Sequence, residues 1–234
     1  MTTPKAFLFD VFGTVVDWRS GVATETERMF LKKGIKHDAL GFADAWRGKY
    51  DPAMERIRSG GRGYVALDIL HRENLDELLD ETGLAPALDE PERAELNKAW
   101  EKLPPWPDSV SGLAHLKEKA IIATCSNGSI ALMTRLAKFG KLPWDCILGA
   151  EIAKNYKPHR EAFLKSVSAL GVEPHDVVMV AAHNSDLYAA RKYGLKTAFV
   201  PRPTEHGPGQ SIDLKASENW DYIAETIEDI ASII

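Results

Sequence analysis

The sequence predicts an α/β fold: a doubly wound parallel sheet with an all-helical block inserted directly after its first strand. Three observations predict it. Short aliphatic runs recur along the 234 residues, helical patterns lie between most of them, and one long interval after the first run holds helical patterns only. Strands that alternate with helices imply a parallel sheet covered by helices on both faces.

The first run, residues 6–10 (AFLFD), ends in Asp10 and is followed by a turn at Gly13 and Thr14. Residues 120–125, 146–150, 177–182 and 197–200 read as further buried strands. Runs this short cannot be told from buried helix by periodicity, so the separators decide. Residues 130–139 bring Ile130, Met133, Leu136 and Ala137 onto one face. Residues 160–170 do the same with Phe163, Val167 and Leu170, and Gly171 suits a helix C-terminus. Residues 186–193 form a third helix ending at Gly194, and residues 223–234 a C-terminal one. Between about Val16 and Trp100 the alternation stops. One pattern holds Ala45, Trp46, Lys49 and Tyr50, and another Val65, Ile69, Leu70, Leu75 and Leu78. A third runs over residues 91–103, with Pro91 near the start, where its missing N–H costs little. Residues 103–109 (LPPWPDS) form a stiff return linker, with Asp108 or Ser109 available to cap the next helix. The expected division is a core of residues 1–15 and 101–234 and a helical cap of residues 16–100.

A net charge of −5 without a basic stripe excludes an ordinary nucleic-acid binder. The N-terminus lacks a signal-peptide pattern, and no window approaches the ~18 apolar residues of a membrane span. Cys125 and Cys146 form neither a disulfide framework nor a metal motif, and both lie in apolar runs, so buried free thiols are expected. These features together predict a soluble cytoplasmic protein.

Four short polar elements close separate apolar runs: DVFGT at Asp10, CSNG at Ser126 and Asn127, YKPHREAF at Lys157, and AAHNSD at His183 and Asp186. Singly, each reads as turn or cap chemistry, or as a solvated lysine. Jointly they point to one site, because α/β sheets bind ligands beyond the carboxyl ends of their strands.

These four elements, as FDVFGT, SNG, YKP and a final acidic loop, resemble the motifs of the haloacid dehalogenase superfamily, over essentially the whole chain from Phe7. The resemblance implies a Rossmann-like core with a cap inserted after the first strand. Most members are phosphatases, which hold Mg²⁺ and use an acid two residues after the nucleophile to protonate the leaving group. Here that position is Phe12, and Ala182 stands where the first motif-four acid would be. A halide departs as a stable anion and needs no proton; it needs a carboxylate nucleophile and positive charge or N–H donors where it leaves. The chain is similar to the superfamily's L-2-haloacid dehalogenases, which act without metal and carry an aromatic residue at this position.

That resemblance implies hydrolysis of small 2-haloacids to 2-hydroxyacids through an aspartyl ester, with no metal and no organic cofactor. Asp10 would be the nucleophile, Thr14 would orient it, and Phe12 would line the substrate pocket. Arg47, in AWRGKY, would abstract the halide with help from Asn127. Ser126 and the N–H groups near Val11 and Phe12 would bind the substrate carboxylate. Lys157 would keep Asp10 ionised, and Asp186 would position or deprotonate the hydrolytic water. Three residues depart from the family pattern: Phe163 replaces a tyrosine, and Ala181 and His183 replace a serine and an asparagine. His183 is either a water-orienting group or base, or a structural histidine. The implied partners are the haloacid and halide, with no nucleic acid and no membrane, and a homodimer is the implied assembly. Two rival readings are a metal-dependent phosphatase of the same superfamily and a non-catalytic small-acid-binding protein. Residues 202–210 (RPTEHGPGQ) read as a rim loop or a subunit contact.

Overall fold

In the structure, a computed structural model that describes residues 3–234, β1 (Ala6–Phe9) is followed by helices α1 (Trp18–Lys33), α2 (Ala39–Gly48), α3 (Tyr50–Arg58), α4 (Leu67–Glu81) and α5 (Glu90–Asn97). The chain then runs through α6 (Ser109–Lys117), β2 (Ile121–Thr124), α7 (Ile130–Gly140), α8 (Ala150–Ala153), α9 (Arg160–Ala169) and β3 (Val177–Ala181). It ends with α10 (Asn184–Lys192), β4 (Lys196–Phe199), β5 (Tyr222–Ile223) and α11 (Ile227–Ile233). The strands pair in the order β2-β1-β3-β4-β5, all parallel. From β1 the chain builds first to one side and then to the other. The carboxyl end of β1 is therefore the switch point of the sheet, where open α/β sheets hold their ligands.

The helices start and stop where side chains satisfy their end groups. Asp17 caps α1 and Gly34 closes it in the left-handed region. Asp89 and Glu92 form a reciprocal capping box on α5, with Pro91 in its first turn. The helical segment leaves and re-enters through paired backbone: Asp17 N–H donates to Pro104 C=O at 2.9 Å and Trp106 N–H to Val15 C=O at 3.0 Å. One apolar cluster runs from Phe7 and Phe9 of the sheet through Trp18, Trp46 and Trp100 of the helices. No helix among the described residues is long and apolar enough to cross a membrane.

Several expected features are corrected. Residues 146–150 do not form a strand; they make two isolated parallel bridges, Ala123–Cys146 and Ser126–Gly149. The reason is local: the Thr124 hydroxyl accepts from Leu148 N–H and donates to Leu148 C=O, and Ala150 already starts α8. Cys125 is buried as expected, and burial pushes its thiol up to about 12, but Cys146 is only half-buried. The C-terminal helix begins at Ile227 rather than residue 223, because Tyr222 and Ile223 pair with β4 instead.

Asp108 precedes α6 but does not cap it through its side chain. Its carboxylate instead takes two bonds from Arg202, each 2.9 Å, and the Ile227 N–H that opens α11 at 2.7 Å. Arg202 also donates to Thr14 C=O at 2.9 Å, tying this buried pair to the loop after β1. Removing one member strands the other charge. Asp108→Ala should therefore lower unfolding free energy by about 3–5 kcal/mol in urea titration, and a loss under about 1 kcal/mol would contradict this role.

Candidate active site

Asp10 leaves β1 at its carboxyl end and is 6% exposed, on the wall of a cavity of about 1120 Å³. Three groups hold its carboxylate. Thr14 Oγ1 donates to Oδ2 at 2.7 Å and accepts from Ala182 N–H at 2.9 Å. Lys157 Nζ donates to Oδ1 at 2.8 Å and, on its other side, to Asp186 Oδ2 at 2.6 Å. His183 Nδ1 lies 3.2 Å from Oδ2. Lys157 is 4% exposed, so this charge cluster is almost dry.

The electrostatics follow from that dryness. Burial alone would push the Asp10 carboxyl up, but the Lys157 ammonium and His183 outweigh it and hold it far below the usual carboxylate range. Burial would likewise lower Lys157, yet Asp10 and Asp186 hold it well above the ordinary lysine value. Asp186 moves the other way: burial and the neighbouring Asp10 charge raise it, with Lys157 opposing. The two carboxyls are thus driven apart, Asp10 down and Asp186 up, so that Asp10 stays ionised and Asp186 is the more basic of the two. A nucleophile and a base call for that separation.

Arg47 reaches the same cavity from the last turn of α2. Its guanidinium lies over the Tyr50 ring, 3.9 Å from the centroid, and 5.2 Å from that of Trp18. Its Nη1 is buried with no hydrogen-bond partner. A buried cation nitrogen left unbonded is costly unless an anion arrives. Beside it, Asn127 donates its amide to Tyr50 Oη at 3.1 Å and accepts from Lys157 N–H at 2.9 Å. Phe12 closes the apolar side, edge-on to Trp100 and His71. His71 stacks on Trp100 at 4.1 Å; burial first, then Arg47, holds it well below the usual histidine value, so it is neutral there. A pocket with an unbonded cation and an apolar wall results, sited next to the Asp10 carboxylate.

Among the described residues, two groups of side chains approach metal-binding spacing: Asp10, His183 and Asp186, and His183, Glu205 and His206. In the first, Lys157 already occupies the space between the two acids. In the second, Glu205 is spent on His183 and on Trp18. A metal would have to displace the protein's own cations.

Asp10, Phe12, Arg47, Asn127, Lys157, His183 and Asp186 all line this cavity. Thr14 reaches it through Asp10. Val11 and Ser126 are fully buried and do not line it; the Ser126 hydroxyl accepts from Gly128 N–H at 3.0 Å and shapes the turn that carries Asn127. Gly149 lets that turn form, since a Cβ there would lie 2.1 Å from Ser126 O. Phe163 does not line the cavity but packs, in a separate apolar cluster, behind Tyr193, which does. Ala181 is also buried off the cavity. The 202–210 loop lies on the cavity rim and sends Glu205 inward, a residue that sequence reasoning missed; its only signal was an acid inside a loop already marked as rim. Tyr50, which orders Arg47 and Asn127, was read only as part of a helical face.

A family model described as haloacid dehalogenase-like hydrolase matches residues 4–194. The chain is 30% identical to an (S)-2-haloacid dehalogenase of Xanthobacter autotrophicus over 212 residues, 89% of this chain and 79% of that protein. Among solved structures it superposes on the defluorinating L-2-haloacid dehalogenase Rha0230 with a TM-score of 0.96 and 48% identity, covering 98% and 94% of the two chains. The L-2-haloacid dehalogenase PA0810 gives a TM-score of 0.95 with 43% identity over 98% of each chain.

Proposed function

The chain belongs to the haloacid dehalogenase-like hydrolases, and from that premise we propose that it converts small 2-haloalkanoic acids to 2-hydroxyacids with release of halide. One observation carries the reading: an ionised Asp10 held by Lys157 shares its cavity with an Arg47 nitrogen that has no partner. Asp10 attacks C2 and the halide leaves toward Arg47 and Asn127, inverting that carbon and forming an aspartyl ester. Water, positioned and deprotonated by Asp186, then attacks the ester carbonyl and regenerates Asp10. Thr14 and Lys157 fix the two oxygens of Asp10, and Phe12 packs against the substrate carbon. Ser126 holds the Asn127 turn by accepting from Gly128 N–H, and its hydroxyl proton is left for the substrate carboxylate. The reading treats residues 16–100 as a cap over a core of 1–15 and 101–234, in a cytoplasmic homodimer.

The cavity is several times larger than a two- or three-carbon acid. Selectivity therefore lies at its floor, between Asp10, Phe12 and Arg47, rather than in its volume. The defluorinating neighbour makes fluoroacetate a substrate to include from the start. Halide release should be measured from L- and D-2-chloropropionate, chloroacetate and fluoroacetate in EDTA. Release from the L acid and the acetates, but not from the D acid, is the expected result. Release that EDTA abolishes, or none from any of the four by folded protein, would overturn the reading.

A further inference from the structure

Glu205 takes no part in the chemistry above, yet it is only 1% exposed. Its carboxylate accepts from Trp18 Nε1 at 2.9 Å and lies 2.9 and 3.1 Å from His183 Nε2. The other ring nitrogen, Nδ1, faces Asp10 Oδ2. An ionised carboxylate only accepts, so a ring with a carboxylate at each nitrogen carries an N–H on both. Asp10 Oδ2 thus faces two donors, Thr14 Oγ1 and His183 Nδ1, whereas Oδ1 has Lys157 alone. Oδ1 is the freer nucleophile, which leaves Oδ2 as the carbonyl oxygen of the ester.

We propose that Glu205 is a positioning residue that holds His183 against Asp10 Oδ2, so that His183 and Thr14 form the oxyanion site of the ester-hydrolysis step. The proposal rests on the aspartyl-ester reading. In that step the water oxygen bonds to Asp10 Cγ, a water proton passes to Asp186, and the carbonyl electron pair moves onto Oδ2. Collapse re-forms the carbonyl and breaks Cγ–Oδ1. The 2-hydroxyacid leaves with Oδ1 and takes the proton from Asp186, while the new Asp10 carboxyl gives its remaining proton to solvent.

Charge explains why a second acid is needed. Asp10 after β1, Asp186 on α10 and Glu205 before β5 surround His183, while Lys157 faces both aspartates and Arg47 and His206 face Glu205. Burial alone would lower His183, but Glu205 and Asp10 outweigh it and hold it well above the usual value. Ester formation neutralises Asp10. Glu205 is then the acid in direct contact that keeps the ring charged as the oxyanion forms. Gly13 is shaped for this: at φ +88°, a Cβ there would lie 2.1 Å from Glu205 Oε1.

The test is Glu205→Gln in pre-steady-state kinetics on chloroacetate, with His183→Asn beside it. Both variants should still release a first equivalent of halide. Ester hydrolysis should slow roughly 10- to 100-fold, the range for losing such an orienting partner, with the ester accumulating by intact-mass spectrometry. The alkaline fall in hydrolysis rate should move to lower pH in Glu205→Gln and vanish in His183→Asn. In ¹⁵N-histidine NMR of the wild type, both His183 nitrogens should be protonated at pH 7. A halide burst with unchanged hydrolysis and pH profile in Glu205→Gln overturns the proposal alone, as does a neutral His183 in the NMR. Label in the 2-hydroxyacid, rather than in Asp10, after a single wild-type turnover in H₂¹⁸O overturns the ester reading and the proposal with it.

Discussion

Asp10→Asn should abolish halide release, by roughly 10⁴- to 10⁶-fold, the range seen when a nucleophile or its activating partner is removed. The amide has no charge with which to displace a halide, and no other carboxylate can take over. Asp186 is held on the far side of Lys157, paired to its ammonium, and Glu205 is bound to His183 and Trp18. The fold should survive the change, because each cation that Asp10 leaves behind keeps a second acid: Lys157 keeps Asp186, and His183 keeps Glu205. A pH signature accompanies the loss. The folded Asp10 carboxyl lies far below its unfolded value of about 3.9, so its contribution to stability is present above that pH and lost as pH falls toward the folded value. The asparagine variant lacks that contribution, and its stability should vary less with pH below about 4. Thermal unfolding between pH 2 and 7, beside the halide assay, checks both parts. Turnover within a hundredfold of wild type would remove Asp10 from the nucleophile's place.

Asp10, Thr14, Asn127, Lys157 and Asp186 were legible because they are local features. Asp10, Thr14, Asn127 and Asp186 sit one to five residues beyond a strand, and a parallel sheet gathers such positions at one edge without needing further information; Lys157 follows no strand and is brought in by the bond of its N–H to Asn127. The insertion was legible for the same reason: helical periodicity persisted where a strand was due. The edge run at residues 146–150 misled because its aliphatic content is right for a strand, while the deciding event is one threonine hydroxyl bonding across to Leu148. Glu205 was not legible in its role. A loop between β4 and β5 carries no periodicity, and its contact with His183 and Trp18 joins three parts of the chain distant in sequence. The departure at His183 only gains meaning beside that acid. Phe163, by contrast, stands behind the cavity wall against Tyr193, so its missing hydroxyl bears on the packing of that wall.

Arg47→Met should separate activity from stability. Loss of the halide donor should lower kcat/KM on chloroacetate by about 10²- to 10³-fold, as for removing a preorganised charge-stabilising donor. The loss should be larger on fluoroacetate, because fluoride is the poorer leaving group and depends more on the donors that receive it. Stability should respond in the opposite sense. The free enzyme carries Arg47 with a buried Nη1 that bonds nothing, and its compensation is the face of Tyr50, less closely that of Trp18, and the charge of Glu205. Such cation–π contacts contribute about 0.5–2 kcal/mol. Arg47 is half-buried, and exchanging fully buried ion pairs for apolar side chains is commonly neutral or stabilising by about 1–4 kcal/mol, so a smaller gain is expected here. The net expectation is a variant as stable as the wild type, or up to about 2 kcal/mol more stable, by urea titration. Adding chloride separates the two causes further. If the unpartnered nitrogen is a halide site, chloride should raise the wild-type Tm and leave that of Arg47→Met unmoved, since only a state that binds the anion gains from it. A variant destabilised by more than about 1 kcal/mol and still responsive to chloride would mean that Arg47 is a packing residue and that the halide leaves elsewhere.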